Sequence, residues 1–144
     1  MVEHFSNALQ VGDTLPEFLA PPITRHTLAL YCGASSDHNP IHVDIDFARA
    51  AGMPDVIAHG MLGMAYLGHV LSAVTPVQAL RSYGVRFVAV THVGDSLRCT
   101  AEVVGLEERE GERVARLTLC VMDQHGQVKL LGEAEIALRP SITA

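Results

Sequence analysis

The chain has no tryptophan, and only 5% of its 144 residues are aromatic. A core without large rings must be built from Val, Leu, Ile, Ala and Met. With 49% hydrophobic residues there is enough of this material for one domain. The same content excludes a disordered class. Cysteine is scarce too: Cys32, Cys99 and Cys120 stand far apart, with no CxxC spacing. That suits neither a disulfide framework nor a zinc site, and points to a reducing, cytoplasmic setting. Positive charge is short, with 10 Lys and Arg against 16 Asp and Glu, a formal net charge of -6. Nucleic acid is therefore not an expected partner, because its phosphates require a basic face. A small phosphorylated ligand held by a few arginines remains compatible. The apolar stretches are broken by Gly, His and Ser and fall short of a membrane span. The N-terminus MVEHFSNALQVGD has neither the basic segment nor the apolar run of a signal peptide. A membrane is accordingly not an expected partner.

What is present divides by pattern. The first part, to about Val74, is rich in Gly, His and turn residues; from Arg81 onward the chain reads as strands. There is no repeat, charge run or low-complexity segment, so one domain over residues 1–144 is expected. Val11-Gly12-Asp13 reads as a turn and Leu15 to Leu19 as a short extended segment. Thr24 is placed to cap a helix through Leu28 and Tyr31. Asp44 is placed to cap a short helix over Phe47 and Ala51, with Gly52 as its stop. Gly60 to Val74 is the strongest helix; it is apolar nearly all round, so burial on all sides is expected. Thr75-Pro76 ends it. Tyr83, Val85, Phe87 and Ala89 then share one face of a strand. Further strands are expected over Leu97 to Leu106, Val114 to Met122 and Val128 to Leu138. Turns at Gly94-Asp95, Glu110-Gly111 and Gln124-His125-Gly126 separate them. Antiparallel strands following one buried helix indicate an α+β fold, with the sheet wrapped around the helix.

Two stretches carry candidate chemistry. Ser35-Ser36-Asp37-His38-Asn39-Pro40-Ile41-His42 packs an acid, two imidazoles, an amide and a proline into eight residues. Pro40 disfavours helical geometry at Asn39, so His38 and His42 do not share a helix face as two zinc-binding histidines would. No metal ligand set is assigned. A converging Asp37 and His42 would orient and deprotonate a water, with Asn39 holding the chain or the water. Equally, Asp37 is placed to cap a turn and His42 to be a satisfied, partly buried side chain. Spacing alone does not choose between them. The second stretch is Ile57-Ala58-His59-Gly60-Met61-Leu62. Glycine at a helix start lets a ligand approach the free N–H groups and the positive end of the helix dipole. It is also an ordinary close-packing residue. His59 reads first as a support of that helix start, and then as a candidate contact to substrate.

Tyr31 to Ala48 resembles the hydratase 2 motif of the MaoC-like family, in Tyr31, Asp37, Asn39, Pro40, Ile41, His42 and Ala48. Ala58-His59-Gly60-Met61-Leu62 is similar to that family's central-helix start. Val85-Arg86-Phe87 with Gly94-Asp95-Ser96-Leu97 is similar to its first strand and turn after the helix. Three separated blocks in the right order make the resemblance specific. It extends roughly from Val11 to Leu138. The family comprises (R)-specific enoyl-CoA hydratases and 3-hydroxyacyl-acyl-carrier-protein dehydratases. The resemblance implies a hot-dog fold, a curved antiparallel sheet around a long central helix. It implies Asp37 and His42 as the catalytic pair, Asn39 as support, and the Gly60 N–H as oxyanion donor. It implies no cofactor or metal; coenzyme A or acyl carrier protein carries the acyl group. A homodimer is expected, with a heterodimer of related subunits as the alternative. Ser36 departs from the family, which often has glycine there.

An acyl channel beside the helix is expected to draw on Met61, Met64, Leu67, Gly63 and Gly68, with His59 nearby. Arg81, Arg86 and Arg98 are candidates for a coenzyme A phosphate or an acidic carrier, or simply a solvated strand face. Cys32 reads as a buried small residue. Two other functions fit the same fold. A thioesterase usually places its acid on the central helix, and Met61 to Ser72 contains none. A non-catalytic acyl-thioester-binding subunit has no need to retain both Asp37 and His42. A metal-dependent hydrolase is the weakest alternative.

Overall fold

A computed structural model describes residues 8–138. A short strand, β1 (Phe18–Leu19), precedes helix α1 (Arg25–Ser35), then α2 (Ile45–Ala50) and the central α3 (Gly60–Ser72). Four longer strands follow: β2 (Leu80–Phe87), β3 (Arg98–Arg109), β4 (Glu112–Met122) and β5 (Val128–Leu138). All lie in one antiparallel sheet of order β1-β3-β4-β5-β2.

Local chemistry sets the boundaries. The Thr24 hydroxyl accepts the Thr27 N–H at the start of α1, and Asp44 accepts from Asp46 and Phe47 at the start of α2. Gly52 follows α2 with φ 87°, the left-handed geometry that favours glycine. Glu110 and Gly111 both take positive φ, the geometry of a two-residue hairpin between β3 and β4. Where β5 meets β2, Gly132 leaves no room for a side chain: a Cβ there would run into the Gly84 carbonyl oxygen. The pairing between β3 and β4 shifts register between Val103 and Gly105, a bulge of the kind that bends a sheet locally.

The sheet buries alternate residues against one side of α3. Cys99, Ala101 and Val103, then Leu117, Leu119 and Val121, then Leu130, Ala134 and Ile136 pack on Leu67, Val70 and Leu71. Burial pushes the Cys99 thiol up to about 12, so it behaves as a small apolar group. A second cluster of Ile23, Leu28, Ala48, Val56, Ala58 and Leu62 roots α1, α2 and the start of α3 together. Tyr66 packs against both clusters.

Two expectations are corrected here. The central helix is buried on one side only: Ala65, His69 and Ser72 are exposed, and Met61 is 52% exposed. The sheet curves around one face of α3, α1 and α2 meet its first turn, and a stripe through Met61, Ala65, His69 and Ser72 stays exposed. Strand β2 also stops at Phe87, so Ala89 is not part of its face. The ladder breaks because the Val88 and Ala89 N–H groups both donate to the Lys129 carbonyl. No helix among the described residues is long and apolar enough to cross a membrane.

Candidate active site

The site is assembled where the end of α1 meets the start of α3. Ser36 ends α1 in left-handed geometry, φ 59° and ψ 16°. This turns the chain sharply and presents Asp37. The Asp37 Oδ1 accepts the Asn39 N–H at 3.2 Å, and the Asn39 Oδ1 accepts the Ile41 N–H at 3.1 Å. Asn39 is held extended before Pro40, as the sequence requires, and Pro40–His42 form one 3-10 turn. His38 lies exposed and does not join the site.

His42 is fixed by its neighbour across the fold. Its Nδ1 lies 2.8 Å from the Ile57 carbonyl, so that nitrogen carries the proton and donates. In the neutral tautomer this leaves the lone pair on Nε2, which lies 3.9 Å from Asp37 Oδ2. At that separation one water can bond both atoms. Asp37 thus uses one oxygen to hold its own loop and turns the other toward His42.

His59 lies beneath this pair. Its Nε2 donates to the Asp37 carbonyl at 3.2 Å, and Cys32 Sγ lies 3.5 Å from the same nitrogen. Its ring stacks on His42 with centroids 3.7 Å apart, and Tyr31 meets it edge-on. His59 is 2% exposed, and its Nδ1 has no hydrogen-bond partner among the described residues. Burial pulls its pKa below the usual histidine range, against the Asp37 carbonyl that favours the charged ring; it is a neutral support. Burial, and then the Asp37 charge, raise the Tyr31 hydroxyl.

Asp37, His42 and His59 offer donor atoms within 4.8 Å of one another, the spacing of a metal site. Ring orientation counts against one. The His42 and His59 planes are only 21° from parallel, so their in-plane lone pairs do not converge on one ion.

Asp37, His42 and Gly60 open onto a cavity of about 430 Å³. Gly60 is the first residue of α3, where the N–H groups have no intrahelical partner. A Cβ on Gly60 would lie 2.8 Å from the Phe87 ring, so a larger residue there has to displace that ring. Met61, Phe87, Val88, Val90 and Leu130 supply an apolar lining.

Met64, Gly63 and Gly68 are not brought to this cavity. Gly63 faces Leu130 and Leu97 in the core, and Gly68 approaches Tyr83. Met64 has its carbonyl bonded by the Tyr83 hydroxyl. The helix turns these positions toward the sheet, and Met61 alone of that set lines the cavity. Arg81 is paired with Glu112 and Arg98 with Glu17 on exposed surface. Sequence reading missed the wall from Val88 to Thr91, which carries no motif.

Residues 7–123 match the MaoC like domain family. The chain belongs to that family. It is 30% identical over 138 residues to an (R)-specific enoyl-CoA hydratase of Rhodospirillum rubrum, covering 94% of this chain and 92% of that protein. It is 32% identical over 123 residues to 3-hydroxyacyl-thioester dehydratase Z of Mycobacterium tuberculosis, covering 81% and 82%. The unliganded R-hydratase of Pseudomonas aeruginosa superposes with a TM-score of 0.78 at 30% identity, covering 90% of this chain and 82% of that one. The hot-dog fold and the place of this chain among hydratases and dehydratases follow from these likenesses.

Proposed function

We propose that this protein adds water reversibly to trans-2-enoyl thioesters, giving (R)-3-hydroxyacyl thioesters, in fatty-acid metabolism. The observation that carries the proposal is Asp37 Oδ2 facing His42 Nε2 at 3.9 Å, on a cavity that Gly60 at the start of α3 also lines. In hydration, the two groups hold one water between them. Its oxygen bonds to C3 as the pair removes a proton. Electrons move from the double bond through C2 to the thioester oxygen, where the Gly60 N–H receives the charge. The pair returns a proton to C2, and the enolate collapses. Dehydration runs the same steps backward. A single oxyanion donor is worth ~3 kcal/mol of barrier, and acid–base assistance roughly 100- to 10,000-fold. Asn39 supports Asp37, and His59 supports both members of the pair. Met61 and Phe87 contact the acyl group.

The acyl carrier is coenzyme A or acyl carrier protein, and the reaction as written moves only water and protons. The assembly we propose is a homodimer. Strand β2 ends the sheet: seven of its eight residues pair with β5 and, among the described residues, no strand pairs on its other side, an edge that needs covering. Light scattering of an active sample tests this; a stable, active monomer at micromolar concentration contradicts it. The reaction is tested by following the enoyl-thioester absorbance of crotonyl-, hexenoyl- and decenoyl-CoA. Loss of the band with (R) product supports the proposal; no loss with any of the three, or (S) product, refutes it.

A further inference from the structure

Lys129 is the largest fully buried side chain among the described residues, 1% exposed. A buried cation is costly unless paired and hydrogen-bonded on every side. Here it is. Its Nζ lies 3.1 Å from Asp95 Oδ2 and 3.2 Å from Asp123 Oδ2, and donates to the Val90 carbonyl and Gln127 Oε1, each at 2.9 Å. Such a cluster is a weak device for stability alone, since apolar residues of similar volume often serve as well.

Its connections lead to the active site. The Lys129 carbonyl accepts the Val88 N–H at 2.8 Å and the Ala89 N–H at 3.3 Å. Its Nζ holds the Val90 carbonyl, and Asp95 Oδ2 also accepts the His92 N–H at 2.9 Å. One residue and its carboxylate partner thus grip the chain from Val88 to His92, beyond the end of β2. That segment's first four residues, Val88 to Thr91, form a wall of the cavity. On its other side, the Thr91 carbonyl accepts the Ala58 N–H at 2.9 Å, and Ile57 pairs with His92 in a β-bridge. Ile57 carries the carbonyl that fixes His42.

We infer that Lys129 is a positioning residue of the active site: it holds the Val88–His92 segment and, through it, the Ile57 carbonyl that binds His42 Nδ1 and aims Nε2 at Asp37. The inference rests on the hydratase reading only for its kinetic consequence. The geometric claim is tested apart from activity, by nitrogen-15 NMR of the histidine rings in the full-length protein.

In the unaltered protein His42 should show one tautomer, protonated at Nδ1. In Lys129→Met the His42 signals should shift toward a mixture of tautomers. Crotonyl-CoA turnover should fall roughly 10- to 100-fold, the scale of a small misplacement of a reacting group. Should Lys129→Met fail to fold because Asp95 and Asp123 are left buried and unpaired, Lys129→Met/Asp95→Asn/Asp123→Asn removes the charges together and is measured in its place. A merely structural lysine would lower the melting temperature and leave the His42 signals unmoved. That result in a folded variant overturns the inference. Shifted His42 signals in a protein that never turned over any enoyl-CoA would uphold the positioning role and refute the hydratase reading instead.

Discussion

The imidazole of His59 lies flat against that of His42, centroids 3.7 Å apart, while its Nε2 holds the backbone carbonyl of Asp37 at 3.2 Å. One buried ring therefore touches both Asp37 and His42 without lining the cavity. Replacing His59 by Leu keeps bulk but removes the bond to Asp37. Turnover should fall roughly 10-fold or more, on the scale of a displaced reacting group. KM should change little, because His59 is not among the residues lining the cavity. Steady-state kinetics that instead show raised KM at full kcat would make His59 a substrate contact.

The same burial gives a pH signature. The folded-state pKa of His59 is lowered from 6.5, mainly by desolvation. The unfolded chain therefore binds a proton here before the native one does. The stabilising effect of a neutral, buried His59 is complete above the unfolded value and declines as pH falls from there toward the lower folded value. Below about pH 6.5, melting temperature should drop more steeply for the unaltered protein than for His59→Leu. Parallel melting curves from pH 8 to 5 would contradict this.

Ser36 stands in left-handed geometry at φ 59°, which explains the family's frequent glycine at this position. Ser36→Gly should relieve about 1 kcal/mol of backbone strain, partly offset by a more flexible unfolded chain. The expected outcome is a melting temperature equal to or a few degrees above that of the unaltered protein. Activity should be retained, because Asp37 keeps its bond to Asn39. A clear loss of stability would mean that the Ser36 side chain has a role of its own.

Gly60 lies directly under Phe87. In Gly60→Ala the added methyl must displace the Phe87 ring, which is 52% exposed and free to yield. Fold should survive while kcat/KM drops by roughly 10- to 100-fold, as access to the Gly60 N–H is narrowed. Adding Phe87→Ala should recover part of that loss, because the two changes act on one contact and are not additive. No recovery in the double variant would locate the damage in the helix start rather than beneath the ring.

Much of this architecture is legible in the chain because its determinants are local. Thr24, Asp44 and Gly52 mark helix ends by capping chemistry, and Glu110-Gly111 marks a hairpin by its required positive φ. The stiffening by Pro40 follows from one steric rule. Asp37 and His42, separated by a single turn, are likewise brought together locally. What the chain conceals is tertiary. Lys129 meets Asp95 and Val90 across the fold, and Asp95 in sequence is only a turn residue. The His42 tautomer depends on Ile57, an ordinary apolar residue whose backbone, not side chain, does the work. The exposed side of α3 was unreadable for a related reason: an apolar helix does not reveal how much of it one sheet will cover.

The central claim is that Asp37 and His42 act together on one water, and the double-variant series with crotonyl-CoA tests it most directly. Asp37→Asn preserves size but removes the carboxylate, and His42→Ala removes the lone pair held toward it. Each single variant should lower turnover by at least about 100-fold, and the double variant should be little worse than either, because the groups work as a unit. The melting temperature should change modestly in Asp37→Asn, since Asp37 is exposed, and fall further in His42→Ala, since that ring is bonded to Ile57 and stacked on His59. Near-full hydratase activity in either folded single variant would contradict the account.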